Sequence, residues 1–125
     1  MPRILCFEDD EDNLYMLHRR LSRNGFDVKV VMNGKEGVEW AKTLLPDLIL
    51  MDLDLPGLDG CEATRRLKDQ PETKHIPIIV LTGHTEKSAS ERAYAAGCDE
   101  FDTKPIDFAE LVKKIESLLG RDAKR

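Results

Sequence analysis

Residues 46–60 read PDLILMDLDLPGLDG, and the fold turns on how this stretch is understood. Leu48, Ile49, Leu50 and Met51 form a short unbroken apolar run, the pattern of a strand buried on both faces. The run stops at Asp52, Asp54 follows, and Pro56-Gly57 with Asp59-Gly60 turns the chain into a loop. A carboxylate at the mouth of a buried strand is costly unless something pairs with it.

Working outward, Ile4–Phe7 is a second apolar run, followed at once by Glu8-Asp9-Asp10-Glu11-Asp12. Leu14, Leu17 and Leu21 predict one face of a helix that stops at Asn24-Gly25. Residues 28–31 alternate as an edge strand does. Asn33 with Glu36 opens a helix whose buried stripe is expected to be Val38, Ala41, Leu44 and Leu45, ending at Pro46. After the central strand, Asp59 with Glu62 opens a third helix to about Lys68. Residues 76–81 are a further strand closed by Thr82-Gly83-His84-Thr85, and a polar helix runs from about Lys87 to Ala96. A short strand near Glu100–Thr103 meets Lys104-Pro105, and Asp107 with Glu110 caps a last helix carrying Phe108, Leu111, Val112, Ile115, Leu118 and Leu119. The expectation is one doubly wound α/β domain over residues 1–120, five parallel strands alternating with five helices, and a frayed tail at 121–125.

With 125 residues, 41% apolar and 34% charged, the chain can bury an ordinary core. A net charge of −5 opposes non-specific nucleic-acid binding. No apolar run reaches membrane-spanning length, and MPRILC is too short for a secretory signal. Cys6, Cys61 and Cys98 are odd in number and scattered, so they read as small apolar residues in a reducing, cytoplasmic setting.

In open α/β sheets, ligands bind beyond the carboxyl ends of the strands where strand order reverses. This sequence places Glu8-Asp9, Asp52, Thr82 and Lys104 at those ends. If the first and third strands are neighbours, three carboxylates share one crevice with Thr82 and Lys104 opposite. Two unit charges 4 Å apart repel by roughly 4 kcal/mol at an effective dielectric of 20. Protonation or a bound cation must relieve this, and an all-oxygen site with few protein ligands suits Mg²⁺ together with a phosphoryl group. The acidic run also suits a solvated helix N-terminus, and Thr82 or Lys104 alone would mean little.

Four motifs in order, ILCFEDDEDN, DLILMDLDLPGLDG, PIIVLTGHT and GCDEFDTKPID, make the chain resemble a response-regulator receiver domain along nearly its whole length. The resemblance implies a flavodoxin-like fold with strand order 2-1-3-4-5. It implies two-component phosphorelay signalling, with Asp52 taking a phosphoryl group from a phosphohistidine on a histidine kinase or histidine phosphotransfer protein. Asp9 and Asp52 would bind Mg²⁺ with the backbone carbonyl of Asp54, and Glu8 would serve as a more distant acid of the same metal site. Lys104 and Thr82 would hold the phosphoryl oxygens, and the Lys104–Pro105 bond would be cis. Phe101 would be the switch aromatic, expected to sit inward even in the unphosphorylated protein because it has no hydroxyl. Gly83 would leave the acyl phosphate accessible, and Asp54 and His84 would tune its lifetime.

Such a protein is a phosphoacceptor and not a turnover enzyme. No output domain is expected after the last helix, so the signal would leave through the fourth helix, fifth strand and fifth helix to a downstream protein, with His84, Thr85 and residues 87–90 taking part. No nucleic acid or membrane is expected as a partner. The alternative is a haloacid-dehalogenase-like phosphatase with Asp52 as nucleophile and Asp54 as general acid. The early acidic pair and the short chain oppose it, and the absence of a Gly-rich loop after the first strand opposes a flavodoxin-like nucleotide binder.

Overall fold

The structure is a computed structural model that describes residues 1–55, 57–83 and 87–120. Its elements are β1 (Arg3–Phe7), α1 (Glu11–Arg23), β2 (Asp27–Val31), α2 (Gly34–Leu44), β3 (Leu48–Asp52), α3 (Gly60–Asp69), β4 (Ile78–Thr82), α4 (Lys87–Ala96), β5 (Glu100–Thr103) and α5 (Phe108–Leu119). All strand pairs are parallel, in the order β2-β1-β3-β4-β5. This is the doubly wound, flavodoxin-like arrangement expected from the sequence.

The apolar runs explain why the sheet is covered on both faces. Side chains alternate along a strand, so Leu48 and Leu50 point one way and Ile49 and Met51 the other. Leu48 and Leu50 join Ile4, Cys6, Ile79 and Leu81 in a core sealed by Leu17 and Leu21 of α1 and by Leu111 and Ile115 of α5. Ile49 and Met51 join Leu5, Phe7, Ile78 and Val80 under α2, α3 and α4. Every residue of β3 and β4 is buried, and β2 and β5 form the edges.

Local signals set the helix ends. Asp10, Asn33, Asp59 and Asp107 each accept a backbone N–H three residues ahead at the start of α1, α2, α3 and α5. Gly37 lets α2 lie flat on β1, because a Cβ there would enter the ring of Phe7. The cysteines are free thiols, Cys6 and Cys98 buried and Cys61 half-buried. Burial, and next the charge of Glu8, pushes the Cys6 thiol up to about 12, so it behaves as a small apolar residue.

The structure departs from the sequence reading in places. Leu45 does not belong to the buried stripe of α2: it is 53% exposed and closes the helix at φ 48 with its N–H on Ala41. The following Pro46 disfavours the helical conformation at residue 45, and the helix closes there with a left-handed residue. β4 begins at Ile78 instead of Ile76, since the Ile76 N–H is committed to the carbonyl of Thr73. It runs on to include Thr82. The tail at 121–125, His84 and Thr85 lie outside the described residues.

A leucine held in the left-handed region carries a steric cost that glycine does not. Leu45→Gly is therefore expected to raise unfolding stability by about 0.5–1 kcal/mol in urea denaturation. A loss would show that the exposed side chain packs better than its accessibility indicates.

Candidate functional site

The crevice forms because β1 and β3 are neighbours and end side by side. Phe7 stands opposite Met51, so the next residue on each strand, Glu8 and Asp52, emerges at the same level. Glu8 is fixed first by its backbone, whose N–H donates to Val31 at 3.0 Å. Asp10 then begins α1 and serves Glu8 as well, its N–H donating to Glu8 Oε2 at 3.3 Å. On the other side the N-terminus of α3 presses on the end of β3. Gly60 donates to the carbonyl of Leu53 at 3.0 Å, and a Cβ on Gly60 would strike the carbonyl of Asp52.

Glu8, Asp9 and Asp52 each bring a carboxylate oxygen to within 4.8 Å of the others. Glu8 and Asp52 are 1% and 5% exposed, whereas Asp9 faces solvent. Lys104 enters from the end of β5, its Nζ 2.9 Å from Glu8 Oε1 and 3.4 Å from Asp52 Oδ2. The Asp54 backbone N–H donates to Asp52 Oδ1 at 3.1 Å. Thr82 is fully buried at the end of β4, and its carbonyl accepts the Lys104 N–H at 2.8 Å. The Lys104–Pro105 peptide is cis.

Burial, and next the charge of Asp52, raises the Glu8 carboxyl above its ordinary range, although Lys104 pulls the other way. For Lys104 the largest influence is burial, which alone would lower it, but Glu8 and Asp52 together outweigh that and leave the ammonium raised. Among the described residues, one ammonium stands against three carboxylates in the crevice. Hard oxygen donors in a partly open cluster are the chemistry that fits a small divalent cation such as Mg²⁺.

The structure thus brings together Glu8, Asp9, Asp52 and Lys104, with Thr82 on the adjoining strand end. Asp54 follows in the loop, exposed as a residue. Phe101, expected to sit inward, is half-buried and packed against the core, its ring centroid 6.5 Å from that of Tyr94. His84 lies outside the described residues. Asp10 is a participant that the sequence reading left within the acidic run. Its three-residue spacing to Asn13 at the start of α1 was the available signal, but four other acids stood beside it.

Comparison with known proteins places the whole chain. The profile of the response regulator receiver domain matches residues 4–116. The chain is 37% identical to the phosphate regulon transcriptional regulatory protein PhoB of Rhizobium meliloti, over 97% of this chain and 53% of that protein. It is 36% identical to the polar-differentiation response regulator DivK of Brucella anthropi, over 96% of this chain and 98% of DivK. It therefore spans about half the length of the first relative and nearly all of the second. Among solved structures, it resembles the receiver domain of the sensor histidine kinase PA1611 of Pseudomonas aeruginosa, whose active-site cleft coordinates a magnesium ion. That match has a TM-score of 0.90 and 34% identity, covering 95% of this chain and 98% of that one. These comparisons give the phosphatase alternative no support.

Removing one partner of a buried ion pair strands the other charge. Lys104→Met in metal-free buffer is expected to cost about 3 kcal/mol of unfolding stability. A double-mutant cycle with Glu8→Gln should return a coupling of about 1–3 kcal/mol, while purely additive losses would show that the 2.9 Å contact carries no energy.

Proposed function

The chain belongs to the response regulator receiver domain family, a family of phosphoacceptors in two-component signalling, and on that premise we propose that Asp52 is its phosphoacceptor. One observation carries this reading: Asp52 ends a buried central strand with two further carboxylates and one ammonium converging on it.

An Asp52 carboxylate oxygen attacks phosphorus, the bond from phosphorus to the donor's imidazole nitrogen breaks, and the electron pair stays on that nitrogen. The N–H of Asp54 on Oδ1 orients the carboxylate, leaving Oδ2, near Lys104, as the attacking atom. Lys104 then shares its charge with the phosphoryl oxygens, and the Thr82 hydroxyl donates to one of them. Asp9, Asp52 and the backbone carbonyl of Asp54, with Glu8 behind them, would hold Mg²⁺, which would supply positive charge against the phosphoryl oxygens. Hydrolysis of the acyl phosphate is slow self-removal, not turnover, with Asp54 and His84 tuning its rate.

The donor is a histidine kinase or a histidine phosphotransfer protein. Beside the crevice lies a shallow cavity of about 220 Å³ lined by Asn13, Met16, Lys104, Pro105, Ile106 and Phe108, an apolar edge suited to such a donor. The signal leaves through α4, β5 and α5, where withdrawal of Thr82 toward the phosphoryl group gives Phe101 room to move further into the core. No described helix is long and apolar enough to cross a membrane.

The protein incubated with Mg²⁺ and acetyl phosphate should gain the mass of one phosphoryl group, and Asp52→Asn should gain none. No gain in the native protein, or an equal gain in the variant, would overturn the assignment.

A further inference from the structure

β5 is a four-residue edge strand, half-buried throughout, and Lys104 projects from its end. Its inner side is laddered to β4, with Val80 opposite Phe101 and Thr82 opposite Thr103. Among the described residues no strand pairs with its outer side. Lys104 leaves the strand with its N–H on the Thr82 carbonyl, and its ammonium reaches Glu8 and Asp52.

A side chain from α5 holds the strand on its other side. Lys114 Nζ donates to the carbonyl of Phe101 at 3.3 Å and lies 3.5 Å from Asp102 Oδ2. The other Asp102 oxygen accepts the Thr103 N–H at 3.0 Å. Asp102 is an acid in the body of a strand, 18% exposed in its side chain, and its Oδ2 is buried without a hydrogen bond. No helix cap or turn accounts for an acid at this position, and the Lys114 ammonium is what offsets its charge. The pair fastens β5 to α5 at Phe101 and Asp102, just before the residue that enters the crevice.

We propose that Lys114 is a positioning residue for the phosphoryl site. By tethering the Phe101–Asp102 backbone to α5, it sets the point from which Lys104 reaches Glu8 and Asp52. The inference rests on the reading of Asp52 as phosphoacceptor. Lys114 touches neither the phosphoryl group nor the carboxylate cluster, so its loss acts on the chemical step and leaves metal binding by Asp9 and Asp52 in place.

The test follows the rate of acetyl-phosphate labelling of the full chain against donor concentration at saturating Mg²⁺, with Mg²⁺ affinity measured separately by thermal shift. Because a 1 Å misplacement can cost up to about a hundredfold, Lys114→Met is expected to lower the maximal rate constant about tenfold while Mg²⁺ affinity stays within about twofold. Lys114→Arg, which keeps charge and reach, should remain within about threefold of the native rate. A merely structural lysine would lower the melting temperature and leave the maximal rate constant of the folded protein unchanged, and that result overturns the proposal. If the native protein takes up no phosphoryl group, the phosphoacceptor reading fails. The tether is then decided by amide exchange at residues 101–104 in the unphosphorylated protein. Lys114→Met accelerates that exchange if the tether exists, and unchanged exchange refutes it.

Discussion

Three carboxylates crowded at the ends of two neighbouring strands are the constraint on which the rest of this molecule depends. Glu8 and Asp52 are nearly buried, Asp9 sits at the opening, and the Lys104 ammonium is placed among them. Like charges at such separations repel by roughly 4 kcal/mol per pair at intermediate dielectric, a cost comparable to a large share of a domain's net stability. The fold accepts it because the residues cannot move apart. The β1–β3 register fixes the level of Glu8 and Asp52, Gly60 packs α3 against the back of Asp52, and Asp10 holds the second oxygen of Glu8. A site held under such repulsion suits a small divalent cation.

The four-part division of labour follows from chain topology. The two central strands supply the acids, their apolar runs anchored in cores on both faces of the sheet. β4 supplies Thr82 from a fully buried strand, so its hydroxyl sits on a rigid support. β5 supplies Lys104 from the least buried strand, at the sheet's edge. The acids and Thr82 thus rise from strands buried in the two cores, and Lys104 and Phe101 from the half-buried edge strand.

Much of this was legible in the residues. Unbroken apolar runs ending in acids marked both the buried strands and the crevice, because burial and charge are written directly in residue type. The capping pairs Asn33/Glu36, Asp59/Glu62 and Asp107/Glu110 placed three helix starts to the residue. Leu45 was misplaced because apolar periodicity gives no sign of a left-handed residue, although Pro46 beside it did. Phe101 packs against the core and lies near Tyr94 across the α4–β5 junction, contacts that no local pattern encodes. The pairing of Asp102 with Lys114 likewise joins residues from different elements, and each alone reads as an ordinary surface charge.

The crowded crevice is tested most directly by thermal unfolding with and without Mg²⁺, comparing the native protein with Asp9→Asn. Millimolar Mg²⁺ should raise the melting temperature of the native protein, since a ligand that binds only the folded state stabilises it. Without metal, Asp9→Asn should melt above the native protein because one repelling charge is gone, and it should respond little to Mg²⁺. A native protein indifferent to Mg²⁺, or a variant less stable than the native chain in metal-free buffer, would contradict this account.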